Sequence, residues 1–395
     1  MRFSPLVERI AGRGVAAWDI HYAAFESQRD GADVIILSIG DPDFATPEFI
    51  SQAAINALQQ GDTHYADVAG RPRLRQAIAA RYRAKTGRSI EAQHIITVAG
   101  AQNALFMASM CLLQPGDEVV VLDPMYVTYE ATLQASGARV VRATCLADDG
   151  FRIRESVLKA AITDRTRAIF LSNPNNPTGV VLDREQLQVI ADLAIAHDLW
   201  VVVDEVYESL CFERQHLSLA SFPGMETRCV TIGSLSKSHA MTGWRVGWVI
   251  GPNELAGHLS HLALCMLYGI PGFIQDAAEV ALRNELPQVA HMREVYRDRR
   301  DRVCAVLQDC PGARALKPAG GMFVMVDIRE TGLSAQAFAD RLLDEHGVSV
   351  LAGEAFGPSA AGHIRLGLVL EAPLLEDACR RIAACAGGLV GRQRL

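Results

Sequence analysis

The sequence predicts an α/β protein with a large domain, built on a mainly parallel sheet covered by helices, and a smaller α+β domain. Short, continuous apolar strands alternate with helices between residues 94 and 250, as in sheets that are buried on both faces. From about residue 286 the pattern changes to a long charged helix followed by shorter elements. We therefore expect the large domain over residues 46–285 and the small domain from residues 1–45 and 286–395.

Several elements are expected before the alternating region. Residues 1–30 are predicted to be helical and amphipathic, and residues 34–39 to form a strand. Thr46 is the expected N-cap of a helix to residue 60, with Pro47 at its first position. A second helix is predicted over residues 73–86.

The alternating region and the small domain follow. The predicted strands cover residues 94–98, 118–122, 168–171, 199–203, 229–233 and 245–250. Helices are expected over 100–113 and after Asp183, which is a good N-cap. The last predicted elements are a helix over 286–310, an extended segment over 320–327, a helix over 335–345 and a strand over 363–368.

The composition restricts the class of protein. The chain has 395 residues, of which 50% are hydrophobic and 21% charged, as in globular proteins with a sizeable core. A net charge of −7 and a pI near 5.9 argue against nucleic-acid binding. No apolar run has membrane-spanning length, and the first residues lack the apolar core of a signal peptide. The nine cysteines form no Cys-x-x-Cys pair, so we expect reduced thiols, a cytoplasmic location and no metal site.

Polar residues follow the predicted strands at the point where each strand ends. They are Gly100, the segments 123–126 and 173–176, and the segments 204–207 and 234–237. Ligands of open parallel sheets bind at the carboxyl ends of the strands. These residues, far apart in sequence, are therefore expected to meet in one crevice.

The residue types in that crevice indicate its chemistry. The amine of Lys237 can form a Schiff base once burial or nearby cations lower its pKa. Asp204 ends an apolar strand and needs a partner, which a protonated ring nitrogen would provide. An anion site is expected from the guanidinium of Arg245, the hydroxyls of Ser234 and Ser236, and the backbone amides of Gly100, Ala101 and Gln102 at a helix start. Together these groups describe a pyridoxal-phosphate site.

Each motif also has an ordinary explanation when it stands alone. Ser234-Leu-Ser-Lys237 is typical of an exposed loop, and Asn176-Pro-Thr-Gly179 of a turn. Asp204 could be a helix N-cap, Tyr126 a core residue and Tyr65 a surface residue. The functional interpretation therefore depends on all of the motifs occurring together.

In combination the motifs identify a family. The chain resembles, over nearly its full length, the class I aminotransferases of the aspartate aminotransferase superfamily, which have fold type I. The resemblance rests on Gly40-Asp-Pro-Asp-Phe44, Tyr65 with Gly70–Arg75, Asn173–Gly179, Asp204-Glu-Val-Tyr207, Ser234–Lys237 with Arg245, and Ile364-Arg-Leu366. It implies pyridoxal 5'-phosphate as cofactor, an amino acid and a 2-oxo acid as substrates, and a homodimer with shared active sites.

The resemblance also implies a role for each matching position. Lys237 would carry the cofactor and then move a proton, and Asp204 would keep the pyridine nitrogen protonated. Asn176 and Tyr207 would bind the ring oxygen, and Tyr126 would stack on the ring. The phosphate would be held by Gly100, Ala101, Gln102, Ser234, Ser236, Arg245 and, from the partner subunit, Tyr65.

Two further positions concern the substrate. Arg365 would bind the α-carboxylate, since its planar fork suits that geometry better than lysine. Gly40 would lie under the substrate, where a side chain would obstruct binding, and Asn176 would also contact the substrate. Residues 1–45 would include a segment that covers the active site.

A finer resemblance concerns the amino donor. Trp18–Tyr22, Thr63–Asp67, Pro124–Tyr129, Leu262–Tyr268 and Leu351–Gly357 are similar to bacterial aminotransferases that use L-arginine and pyruvate. This implies that the products are 2-ketoarginine and L-alanine, in arginine catabolism. A guanidinium substrate favours a carboxylate near the pocket mouth, for which Asp19 is the candidate, with Glu26 as a second.

Three alternatives remain open from the sequence. The enzyme could instead be an aspartate, aromatic or broad-specificity aminotransferase using 2-oxoglutarate. It could be a β-lyase or another pyridoxal-phosphate enzyme on the same scaffold. A transcription regulator with an aminotransferase-like module is disfavoured, because the family's own N-terminal segment begins near residue 1.

Overall fold

The computed structural model describes residues 1–11, 18–284 and 286–393. The part of the predicted N-terminal helical segment at residues 12–17 lies outside the described residues. Within them no helix is long and apolar enough to cross a membrane. The strands are β1 (Ile35–Ile36), β2 (Ile95–Val98), β3 (Glu118–Asp123), β4 (Arg139–Thr144), β5 (Thr166–Ser172), β6 (Trp200–Asp204), β7 (Cys229–Ser234), β8 (Gly247–Ile250), β9 (Arg314–Leu316), β10 (Phe323–Asp327), β11 (Val348–Ser349), β12 (Leu351–Ala352) and β13 (His363–Gly367).

Helices cover the sheets and connect their strands. They are α1 (Pro5–Ile10), α2 (Asp19–Arg29), α3 (Glu48–Gln59), α4 (Pro72–Thr86), α5 (Gly100–Leu112), α6 (Tyr129–Gln134), α7 (Glu155–Ala161), α8 (Arg184–Ala196), α9 (Asn253–Met266), α10 (Gly272–Arg283), α11 (Pro287–Val306), α12 (Ala335–His346) and α13 (Ala372–Gln393). Asp183 caps α8 as predicted, in a capping box with Gln186.

A seven-stranded sheet has the order β2-β8-β7-β6-β5-β3-β4. Its strands run in one direction except β8, which pairs antiparallel with both β2 and β7. Alternate residues of one strand enter different cores: Val120 packs in one cluster, whereas Val119 and Val121 pack in the other. Both faces are therefore buried, which explains why these strands are continuous apolar runs. The predicted α/β architecture with a mainly parallel sheet is confirmed.

Two smaller sheets complete the fold. A four-stranded antiparallel sheet has the order β12-β13-β10-β9. The short strands β1 and β11 pair in parallel, with Ile35 opposite Val348, and so tie an N-terminal segment to the C-terminal part of the chain. One large hydrophobic core contains residues of these strands and of α11, α12 and α13.

Some predicted elements were wrong in their extent. The predicted strand over 34–39 is only Ile35–Ile36, and the strand predicted from Arg245 begins at Gly247, because Arg245 has a φ of 54°. Thr46 does not cap α3, for which Pro47 is the N-cap residue. The Thr46 hydroxyl instead donates to the Ala240 carbonyl at 2.6 Å.

The edge strand β4 was not predicted. Its sequence, Arg139-Val-Val-Arg-Ala-Thr144, contains two arginines and has exposed residues at both ends, so it does not form a continuous apolar run. It pairs only with β3, so one of its edges is free of sheet neighbours. A strand in that position does not need to be apolar throughout, and the apolar pattern therefore could not identify it.

Candidate active site

The carboxyl ends of β3, β5, β6 and β7 open onto a cavity of about 320 Å³. Residues from both larger sheets line it, so strand ends that are far apart in sequence meet as expected. The predicted site residues along its wall are Gly40, Ala101, Gln102, Tyr126, Asn176, Asp204, Tyr207, Ser236, Lys237, Arg245 and Arg365.

Lys237 follows β7 and reaches into this cavity. Its Nζ donates a hydrogen bond to the Gly40 carbonyl at 2.6 Å. Burial lowers the pKa of Lys237 to about 8, while the charge of Asp41 opposes that change. A substantial share of this amine is therefore neutral and nucleophilic at mildly alkaline pH.

Asp204 ends β6 and is 6% exposed. Its carboxylate accepts hydrogen bonds from the Val206 amide at 3.1 Å and from the Tyr129 hydroxyl at 3.3 Å. Burial raises the pKa of Asp204 to about 6. The carboxylate forms no ion pair within the described part of the chain, so a cationic ligand group would relieve the cost of its burial.

Tyr129 is a functional neighbour that sequence reasoning missed. It lies at the start of α6, is almost fully buried, and its ring meets that of Tyr126 edge-on at 5.9 Å between centroids. A tyrosine in an apolar stretch is typical of a core residue. The available signals were its position shortly after the end of β3 and its place in the stretch Pro124–Tyr129, neither of which indicates a contact with Asp204.

Arg245 and Gly100 form one side of an anion cradle. The Arg245 guanidinium donates to the Thr242 carbonyl at 2.7 Å and to the Ala99 carbonyl at 3.3 Å. Gly100 has a φ of 82°, and a Cβ there would lie 2.5 Å from Arg245 Nη2. Glycine is therefore required for the guanidinium to lie against the first turn of α5, where free backbone amides favour an anion.

The two serines have different positions. Ser236 lines the cavity, whereas Ser234 lies behind it. The Ser234 hydroxyl donates to the Val246 carbonyl at 2.7 Å and lies 2.9 Å from the Ser236 hydroxyl. It also accepts the Ser236 amide at 3.1 Å, so Ser234 fixes the turn that presents Ser236.

Arg365 lies on β13 and is only 3% exposed. It donates to the Asn176 side-chain oxygen at 3.1 Å and to the Ser38 carbonyl at 2.7 Å. Its guanidinium carbon lies 4.1 Å from the ring centroid of Phe323 and 4.9 Å from that of Phe356. Two aromatic rings and two neutral acceptors therefore hold this cation in a fixed orientation.

The charge of Arg365 has no protein counter-ion among the residues that the structure describes. Its Nε is buried without a hydrogen-bond partner, and burial lowers the pKa of Arg365 to about 10. Asn176, its partner, also hydrogen-bonds the Tyr207 hydroxyl, whose pKa burial raises well above its usual range. A buried, unpaired guanidinium at a cavity wall is a binding site for an anion such as a carboxylate.

Gly40 lies against the ring of Phe323. A Cβ at Gly40 would be 2.4 Å from that ring, so any larger residue would displace the ring that holds Arg365. The close approach explains why glycine occupies this position.

Besides Ser234 and Gly100, two further predicted residues, Tyr65 and Asp19, are not part of the cavity wall in this chain. Tyr65 is 84% exposed, and its ring lies 4.8 Å from that of Tyr268. Asp19 is exposed at the start of α2, whereas its neighbour Trp18 lines the cavity. Asp41, which the sequence did not single out, lines the cavity directly after Gly40.

A group of potential metal ligands lies close behind Asp204. Glu205, Glu208 and His216 bring their ligand atoms within 4.8 Å of one another. The ammonium of Lys85 lies among these ligands, where its Nζ donates to Glu205 at 2.9 Å and also to Glu208. The ammonium supplies the positive charge that a metal would otherwise bring.

The cavity residues fit pyridoxal 5'-phosphate. The cradle of Arg245, Ser236 and the α5 amides suits a phosphate, and glycine at position 100 keeps it open. Buried Asp204 lacks a cationic partner of the kind a pyridinium supplies. Lys237 offers an amine of lowered pKa between these two groups.

Comparisons with known proteins agree with this chemistry. The family model of aminotransferase class I and II matches residues 32–382. The chain is 60% identical to an arginine–pyruvate transaminase of Pseudomonas aeruginosa, over 99% of this chain and 100% of that protein. It is 37% identical to an aspartate/prephenate aminotransferase of Thermus thermophilus, over 93% and 95% of the two chains.

Solved structures show the same fold. An aspartate aminotransferase from Thermus thermophilus with maleate superposes with a TM-score of 0.92 at 36% identity, covering 98% of this chain and 100% of that one. A Thermotoga maritima aspartate aminotransferase gives a TM-score of 0.90 at 31% identity, covering 97% and 99%. With the family model covering most of its length, this chain belongs to the class I and II aminotransferases, which depend on pyridoxal phosphate.

Proposed function

We propose that this enzyme transfers the α-amino group of L-arginine to pyruvate, giving 2-ketoarginine and L-alanine in arginine catabolism. The observation that best supports an amino-acid substrate is the buried guanidinium of Arg365, which has no counter-ion among the described residues. Identity of 60% over nearly the whole chain to an arginine–pyruvate transaminase supports the choice of substrates.

The chain's own residues then have the following roles. Arg245, Ser236 and the amides of Ala101 and Gln102 hold the phosphate, with Gly100 and Ser234 shaping the cradle, and Tyr126 packs on the ring. Asp204 keeps a proton on the ring nitrogen, and Asn176 and Tyr207 bind the ring oxygen. When bound, the cofactor supplies an electron sink for the electron pair that remains when the substrate Cα loses its proton.

Arg365 and Lys237 act on the substrate. Arg365 binds the α-carboxylate through its planar fork, which Phe323 and Phe356 orient. Lys237 is the residue that would hold the cofactor covalently, and its Nζ would accept the proton of the substrate Cα and later donate it. The lowered pKa of Lys237, about 8, suits an amine that must accept and donate a proton near neutral pH.

The charges of the cavity favour arginine and pyruvate over dicarboxylates. Within the described residues, the cations along the wall are Lys237, Arg245 and Arg365, and each already has a role. A distal carboxylate of aspartate or 2-oxoglutarate would therefore find no further cation on this wall. Arginine and pyruvate carry no second carboxylate, so neither requires a further cation on this wall.

A substrate panel on the purified enzyme tests the proposed function. With pyruvate as acceptor, we expect kcat/KM for L-arginine to exceed that for L-aspartate and L-phenylalanine by at least roughly tenfold, since each 1.4 kcal/mol of differential binding gives that ratio. Replacing pyruvate by 2-oxoglutarate should lower the rate. Absence of turnover with arginine would contradict the assignment, and ammonia release without an acceptor would indicate a lyase.

The pH dependence of cofactor loading provides a second test. Since burial lowers the pKa of Lys237 to about 8, the neutral amine should form around that pH in the apoenzyme. We expect the rate of covalent cofactor attachment, followed by visible absorbance, to rise with pH with a midpoint near 8. A free lysine side chain, with a pKa of about 10.4, serves as the control. A midpoint equal to that of the control would show that Lys237 is not desolvated.

The active enzyme is proposed to be a homodimer with shared sites. The exposure of Tyr65 and its contact with the exposed ring of Tyr268 support this, because a partner subunit would bury both rings. Tyr65 would then reach the phosphate of the partner's cofactor. Light scattering should give twice the chain mass of 42.8 kDa.

A mixed-subunit experiment tests the shared site. Lys237→Ala and Tyr65→Ala protomers are unfolded together and refolded as a mixture. Each mixed dimer should contain one site with both Lys237 and Tyr65, so its activity should exceed the mean activity of the two parent dimers. Activity equal to that mean would indicate that Tyr65 acts only within its own subunit.

We also propose the two-domain division predicted from the sequence and a cytoplasmic location. Separate sheets before and after residue 285 support the division into residues 46–285 on one side and residues 1–45 with 286–395 on the other. Nine unpaired cysteines support a reducing compartment.

A further inference from the structure

Asp41 is a carboxylate of the cavity wall that no role described above uses. Its Oδ1 accepts a hydrogen bond from the Thr242 hydroxyl at 2.7 Å. Across the described ranges of the chain, no lysine, arginine or histidine forms an ion pair with it. One oxygen of Asp41 therefore remains available to a ligand, and Lys237 acts on this carboxylate through its charge without a direct ion pair.

The second carboxylate of the described cavity wall cannot serve the same purpose. Asp204 is 6% exposed, and its oxygens already accept from Val206 and Tyr129. Asp204 also faces the place where a cationic ring nitrogen would lie. Asp41 is exposed and follows Gly40, whose carbonyl accepts from Lys237, so it lies on the cavity wall beside the Lys237 amine.

The segment that carries Asp41 is held in place by several contacts with the turn after Lys237. In addition to the Lys237–Gly40 and Thr242–Asp41 bonds, the Thr46 hydroxyl donates to the Ala240 carbonyl at 2.6 Å. The indole nitrogen of Trp244 donates to the same Thr46 oxygen at 3.0 Å. The position of Asp41 is therefore fixed before a substrate arrives, which reduces the entropy lost on binding.

We propose that Asp41 recognises the guanidinium of the amino donor, and so determines the preference for a cationic side chain. This inference rests on the proposed function. A carboxylate with one free oxygen accepts from a guanidinium in a charge-assisted hydrogen bond. Trp18, on the same cavity wall, offers an aromatic surface for the substrate's side chain or its cation.

The test compares L-arginine with L-citrulline, which has nearly the same shape but a neutral urea group in place of the guanidinium. The Asp41→Asn variant keeps an oxygen for the Thr242 hydroxyl and loses only the charge. The reaction of each amino acid with the holoenzyme is followed by visible absorbance without an acceptor. Any general change near Lys237 affects both amino acids and cancels in the ratio of their rate constants.

We expect the arginine-to-citrulline ratio to fall roughly 30-fold in Asp41→Asn, mainly through weaker arginine binding, while the citrulline reaction persists. Asp19→Asn is the matched control, because Asp19 is an exposed carboxylate outside the cavity wall. Its ratio should equal that of the wild type. Thr242→Ala removes the hydrogen bond but keeps the Asp41 charge, and it should retain the preference for arginine.

Two outcomes separate this inference from the proposed function. If the wild type reacts with arginine and Asp41→Asn keeps the full preference over citrulline, the role of Asp41 is wrong and the proposed function stands. If the wild type does not react with arginine but reacts with another amino donor, the proposed function fails, and this inference fails with it. A loss of preference in Asp19→Asn would also contradict the choice of Asp41.

Discussion

Replacing Lys237 with alanine should lower turnover by at least roughly 10⁴-fold, because in the proposed function one side chain supplies both the covalent attachment and the proton transfer. The visible absorbance of the bound cofactor should change at the same time, because its covalent link to the protein is lost. The fold should persist, since within the described residues the Lys237 side chain forms one hydrogen bond, to the Gly40 carbonyl. Turnover, absorbance and the melting temperature measure the three effects.

Lys159→Ala provides the control for this experiment. Lys159 is an exposed lysine of α7 that is not part of the cavity wall, and its removal should leave all three measurements unchanged. Full activity of Lys237→Ala would refute the assigned site. A large drop in melting temperature would mean that the loss of turnover reports unfolding.

The second large effect is expected for Arg365→Ala. Its kcat/KM for arginine should fall by roughly 10²–10³, mostly through a higher KM, as for loss of one partner of a buried charged pair. The substrate carboxylate would then face Phe323, Phe356 and the Asn176 amide, with no cation at position 365 to bind it. Initial rates at varied arginine and pyruvate concentrations measure the change for both substrates, since both carry the carboxylate.

Arg365→Lys separates charge from geometry. Lysine keeps a positive charge but cannot reach Asn176 and the Ser38 carbonyl with one planar group, so we expect an intermediate KM. An unchanged KM in Arg365→Ala would place the carboxylate elsewhere. Equal activity of the lysine variant and the wild type would mean that charge alone is sufficient.

Much of the fold and site followed from the sequence because the relevant signals are local. Buried parallel strands are apolar runs, and the residues after them, such as Asp204 and Lys237, must meet at one edge of the sheet. The residue types at those positions then indicated an amine, a carboxylate and an anion cradle.

Contacts between distant segments could not be predicted in the same way. The rings of Phe323 and Phe356 around Arg365, and the Ser38 carbonyl below it, come together only through the tertiary fold. Backbone carbonyls and core aromatics have no sequence pattern that distinguishes a ligand site from ordinary packing.

The carboxylate expected to bind the substrate's guanidinium shows the same difference between local sequence signals and tertiary contacts. Asp19 was favoured because its segment was expected to cover the site, but a helix turns each neighbouring side chain about 100° further round. In the structure Trp18 reaches the cavity and Asp19 is exposed, while Asp41 reaches it from a loop. A helical segment can be placed near a site from sequence more easily than its rotation can be fixed.

The turn after β6 directs two adjacent carboxylates to opposite sides of the sheet end. Asp204 faces the cavity, whereas Glu205 is buried against Lys85 of α4. An insertion or deletion of one residue within β6 would exchange the two directions, because side chains alternate along a strand. The ring nitrogen would then lose its carboxylate, and Lys85 would lose its buried partner. Natural length variation in this enzyme should therefore be confined to surface loops and be absent from β6 and its turn.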